Sequence, residues 1–158
     1  MKTTLMRSLA IAALLALGSL AHAAESADRA IGTWKLDIAR STSSIPMPRS
    51  ETRSYVASGD GVTVSWDRVG ADGRKSHVET TYRYDGKEYP VRDSPDFDAL
   101  TAKRIDASTV ESTQMRNGQK VGTLRRTVSA DGKTLTLNAL FTDAAGQHVN
   151  TLMVYDRQ

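Results

Sequence analysis

The sequence predicts an all-β protein, an antiparallel up-and-down meander closed into a barrel of about 8–10 strands. Three observations predict it. Turn dipeptides recur at even spacing: Asp60-Gly61, Asp72-Gly73, Asp85-Gly86, Asn117-Gly118 and Asp131-Gly132, with Ala145-Gly146 as a weaker one. Between them, β-branched and aromatic residues fall on alternate positions, the period of a half-buried strand. Beyond the first 23 residues, no stretch keeps apolar residues at the spacing of a full helix.

The elements follow in chain order. Lys2 and Arg7, the apolar run Leu9 to Ala21 and the small-x-small site Ala21-His22-Ala23 read as a cleavable secretory leader. Residues 1–23 are therefore expected to be a signal peptide and 24–158 a single periplasmic or secreted domain. The leader is too short to span a membrane comfortably, and no later run is apolar for long enough. Strands are expected near 31–37, 50–58, 62–69, 74–84, 87–91, 99–105, 108–116, 119–129, 133–142 and 147–156. Residues 37–48 suggest one helical or irregular turn stopped by Pro46 and Pro48. Alternation groups Val62, Val64 and Trp66, then Val78, Thr80, Tyr82 and Tyr84. Further on it groups Leu135, Leu137, Ala139 and Phe141, then Val149, Thr151, Met153 and Tyr155. Short connections favour a barrel over a two-sheet sandwich, and closure removes the edges of so long a meander.

Composition excludes several function classes. The formal charge of +3 falls to about +1 without the leader, so a nucleic-acid partner is not indicated. Cysteine is absent, which leaves the fold to core and sheet alone. No G-x-S-x-G, H-E-x-x-H or phosphate loop occurs, so neither catalytic residues nor a cofactor are expected. Asp93, Asp96 and Asp98 lack the spacing, glycine and bidentate glutamate of a calcium loop, so no metal is expected there. His77 and His148 sit beside outward positions and are read as surface.

Gly32-Thr33-Trp34-Lys35-Leu36, opening such a meander, resembles the G-x-W start of the calycin superfamily, which includes lipocalins and fatty-acid-binding proteins. The phrases GTWKLD-x-x-[RK]S, DGK-x-YPV, KRID-x-x-TVE and RTVS-x-DGKTLT resemble a family of uncharacterised exported bacterial lipocalin-like proteins. That second likeness spans nearly all of residues 24–158 and brings no established activity. The calycin resemblance implies that Trp34 plugs the closed barrel end beside Gly32, under a terminal base for which Arg157 is the candidate. Two departures stand out. The segment between the first two strands is too short for a helical lid. If Tyr155 holds the tyrosine place of the fatty-acid clamp, Met153 holds the arginine place, which breaks the clamp.

The expected partner is a small hydrophobic or amphipathic ligand inside the barrel. Trp66, Tyr82, Tyr84 and Tyr155, with Tyr55, are candidates to line a cavity. The alternative is a filled barrel that works through its surface. Thr80, Thr123, Thr127 and Thr151 on inward faces would favour a cavity. Arg125 and Arg126 are adjacent, so one faces inward; Arg126 shares its face with Leu124 and Val128. An inward arginine needs a partner, either an anionic ligand or an acid such as Glu79 or Glu111.

Overall fold

A computed structural model describes residues 28–158. The proposed signal peptide lies outside these residues. Ten strands form one antiparallel sheet: β1 Gly32–Ser43, β2 Ser50–Ser58, β3 Gly61–Val69, β4 Lys75–Arg83 and β5 Asp85–Pro90. The second half comprises β6 Ala99–Arg104, β7 Thr109–Arg116, β8 Gln119–Val128, β9 Thr134–Thr142 and β10 His148–Arg157. The sheet order is β4-β3-β2-β1-β10-β9-β8-β7-β6-β5, so the first and last strands pair and the meander curls into a nearly closed barrel. Among the described residues no helix is long and apolar enough to cross a membrane, which says nothing of spanning strands.

The turn chemistry explains most connections. Asn117 and Gly118 both take positive φ, 52° and 72°, as the tightest two-residue hairpin requires. Between β2 and β3 the turn is Gly59-Asp60, one residue earlier than the expected Asp60-Gly61, with the positive φ at Gly59.

Two expectations need correction. The expected turn after residue 37 is instead a continuation of β1 to Ser43, with a wide bulge between Asp37 and Thr42. Ser41 supports the bulge, its hydroxyl donating to the Asp37 carbonyl at 2.6 Å and accepting from the Val154 N–H at 2.9 Å. Asp85-Gly86 does not make a hairpin either. β4 and β5 are the two ends of the sheet and share no ladder; across the gap the Thr80 hydroxyl donates to the Pro90 carbonyl at 2.9 Å, and Glu79 makes an isolated bridge to Arg92, just past the end of β5. Closure therefore does not abolish the edges.

Alternation places the core. Inward positions of β3, β4, β9 and β10 carry Val62, Val64, Trp66, Val78, Tyr82, Leu135, Leu137, Met153 and Tyr155, all buried. On β8 the inward set is Gly122, Leu124, Arg126 and Val128. Thr123 faces solvent and Thr127 is half-buried, contrary to their expected inward placement, because both have the opposite parity to Arg126. Thr80 and Thr151 are buried.

Candidate functional site

One end of the barrel is shut by Trp34. Its side chain is fully buried, and its indole N–H donates to the Ala30 carbonyl at 2.7 Å. Arg157, the last residue of β10, pairs with Trp34 across the β1–β10 ladder, and its Cζ stands 4.2 Å from the tryptophan ring centroid. The same guanidinium donates to the carbonyls of Ile31, Arg29 and Gly132 at 2.8, 2.7 and 2.6 Å. Gly32 makes room for it. Its φ is +130°, and a Cβ there would lie 2.6 Å from Arg157 Nη1.

Beyond the plug lies a cavity of about 180 Å³. Tyr55, Trp66, Tyr82 and Arg126 are on its wall, with Leu137 and Ala139. The β1–β2 connection, through Ile45 and Pro46, and the β5–β6 connection, through Pro95 and Phe97, border its mouth. Arg116 holds the second of these connections in place. It donates to the carbonyls of Asp96, Thr142 and Asp143, tying the loop to the β9–β10 turn. The carboxylates of Asp96 and Asp98 accept from the N–H groups of Ala144 and Asn117, so both serve the loop's own attachment.

The expected lining residues divide. Trp66, Tyr82 and Arg126 reach the cavity; Tyr84 and Tyr155 stand behind its wall. Tyr84 lies just past the end of β4 and donates its hydroxyl to Asp28. Burial raises its pKa to about 12. Tyr155 is fully buried and donates to Glu51 at 2.7 Å. Its hydroxyl is thus spent inside the protein and cannot meet a ligand from where it stands.

Glu51 is the center of a network that the sequence reading missed. It is 1% exposed. Arg53 donates to one carboxylate oxygen at 2.5 Å and Arg68 to the other at 2.6 Å. Arg53 also donates to the Tyr155 hydroxyl at 3.2 Å and lies over the Trp66 ring at 4.7 Å. The guanidinium that meets Tyr155 therefore comes from β2, where the broken clamp on β10 offered only Met153. A buried internal carboxylate already occupies it. Burial by itself pushes the Glu51 carboxyl up, but the two guanidiniums and the tyrosine outweigh it and hold the pKa below its ordinary value. The signal was present as parity. Tyr55 is inward, so Arg53 and Glu51 are too; Trp66 is inward, so Arg68 shares its face.

Arg126 is 3% exposed. Its partner is neither Glu79 nor Glu111. Glu111 pairs with the outward Arg125 at 2.5 Å, while Glu79 makes the backbone bridge to Arg92 at the β4–β5 gap. Arg126 Nη2 instead donates to both oxygens of Asp28, at 2.8 and 2.7 Å. Asp28 precedes β1 and also accepts from the Ala30 N–H at 2.9 Å. Burial raises the Asp28 pKa, yet Arg126, Tyr84 and Ala30 together lower it below the ordinary value. The Nε and Nη1 groups of Arg126 are buried with no partner among the described residues, and the same holds for Gln114 Oε1. Both side chains border the cavity. Strand parity could not locate Asp28, because it lies outside the strands.

The pairs outside the barrel are of another kind. His77 meets Asp67 at 2.8 Å across β3–β4, and His148 meets Thr142 at 3.2 Å, all on exposed surface.

No protein-family model matches the chain, and no curated protein matches it. Among solved structures, zebrafish ileal bile acid-binding protein complexed with cholic acid is similar at 12% identity and a TM-score of 0.49, over 82% of this chain and 99% of that one. The siderocalin Ex-FABP, described as acting through dual ligand specificities, is similar at 12% identity and a TM-score of 0.41, over 82% and 71% of the two chains.

Proposed function

We propose that this protein binds a small, largely apolar molecule inside the barrel and holds its polar group at Arg126. The observation that carries the reading is Arg126 itself, a buried guanidinium on a cavity wall with two N–H groups unpartnered among the described residues. Leaving buried donors unmet costs about 1–3 kcal/mol each, so a site that keeps them is built to receive an acceptor. Around it, Val64, Trp66, Tyr82 and Leu137 supply apolar and aromatic wall, with polar side chains such as Thr80, Gln114 and Thr151 and the Glu51-paired Arg53 and Arg68 among them, a mixture that can fix the orientation of a small molecule. A cavity of about 180 Å³ matches a single-ring compound, since a dry cavity of about 150 Å³ takes up benzene. The reading is of binding without turnover: the carboxylates of Glu51 and Asp28 are held in internal ion pairs, and the sequence carries no catalytic motif. The leader-like residues 1–23 support an exported protein.

Native mass spectrometry against a panel of single-ring amphiphiles tests this. One-to-one adducts are expected, and Ala139→Leu, which fills the cavity from β9, should abolish them. Adducts indifferent to that substitution, or none from any probe, would overturn interior binding and leave a barrel that works through its surface.

A further inference from the structure

We infer that Asp28 sets the specificity of the interior site, restricting it to uncharged polar groups and rejecting carboxylates. The inference rests on the interior-binding reading above and names the class of ligand. Asp28 is a permanent counter-ion. It comes from the segment that leads into β1, and its side chain is nearly as buried as that of Arg126, at 8% against 4% exposed. Both of its oxygens take Arg126 Nη2, so the guanidinium's charge is met while Nε and Nη1, buried and without a partner among the described residues, are left as donors on a side chain that borders the cavity. What Arg126 offers a ligand is therefore hydrogen-bond donors without a net charge.

The surrounding charges keep that balance. Arg53 is met by Glu51. Arg68, 34% exposed, shares the same Glu51 at 2.6 Å and also borders the cavity, so that trio carries one positive charge, which the Asp96 carboxylate on the same lining offsets. Asp96 borders the mouth, with Ala144 N–H on its carboxylate. A carbonyl or amide oxygen placed on Arg126 satisfies the open donors and adds no charge. A carboxylate in the same place gains the same bonds but sits beside the Asp28 carboxylate with little water to screen it, and like charges in such a setting repel strongly. Gln114 points the same way. Its Oε1 is a buried acceptor without a partner among the described residues, on a side chain that borders the cavity, and it suits a ligand N–H or O–H, such as that of an amide.

Benzamide and benzoate make the test, because they share size and shape and differ in charge. Both are titrated into the wild-type protein and into Asp28→Asn, with binding followed by amide chemical shifts. The wild-type protein is expected to bind benzamide at least about tenfold more tightly than benzoate, on the Coulombic argument. Asp28→Asn should raise benzoate affinity by a similar factor and leave benzamide within about threefold, which also reports an intact fold. A wild-type preference for benzoate, or a ratio unchanged by Asp28→Asn, would overturn the inference while leaving interior binding in place. If neither probe binds the wild-type protein, interior binding falls, and this inference with it.

Discussion

Glu51 and Arg126 meet the same difficulty, a charge with almost no water, and resolve it differently. Glu51 is saturated: two arginines and a tyrosine take both its oxygens. Among the described residues Arg126 is hydrogen-bonded on one nitrogen only, which leaves two donors unpaired. The first is a structural device and the second is the binding device we propose. Removing Glu51 would strand Arg53 in the interior. Glu51→Gln should therefore destabilise by about 3–5 kcal/mol in urea unfolding at pH 7, against less than about 1 kcal/mol for Glu111→Gln on the surface. The pH dependence follows from the lowered pKa. The stabilisation is fully present above the ordinary value of 4.5 and is lost as the pH falls through the lower folded value. The Glu51→Gln difference should accordingly shrink between pH 5 and strongly acid conditions. A constant difference would mean that Glu51 holds no charge in the folded state.

At the scale of elements, β1 and the β4–β5 gap decide the shape. β1 pairs with β2 on one side and β10 on the other, and its bulge at Asp37 to Thr42 turns the chain toward the mouth. β4 and β5 carry the free edges, blunted by Lys75, Glu79, Arg83, Lys87, Glu88 and Pro90, charges and a proline that discourage pairing with another chain. Amide hydrogen exchange should show this directly. The edge amides of β4 and β5 that face the gap are expected to exchange orders of magnitude faster than those of β9, which is laddered on both sides. Equal protection would mean that the gap is closed in solution. The ten strands were legible from turn dipeptides and alternation. The gap was not, because Asp85-Gly86 carries the same local signal as true hairpin turns and only the sheet order shows that its flanking strands do not pair.

Over the whole molecule, the cavity sets stability against the proposed ligand binding. A barrel that keeps about 180 Å³ unfilled forgoes the packing its walls would otherwise make. Ala139→Leu, besides blocking ligands, is expected to stabilise the protein by about 0.5–2 kcal/mol, read as a higher Tm. A lower Tm with binding retained would place the ligand elsewhere. By itself, the sequence determined the class of fold, the strand positions and the inward parity that selects Trp66, Tyr82 and Arg126, because these depend on turn chemistry and a two-residue period. The tertiary structure alone decided which groups meet: Arg53 of β2 at Tyr155 of β10, Arg157 over Trp34, and Asp28 on Arg126. Those pairings join residues about a hundred positions apart, and a barrel's closure, which no local pattern encodes, is what brings them within bonding distance.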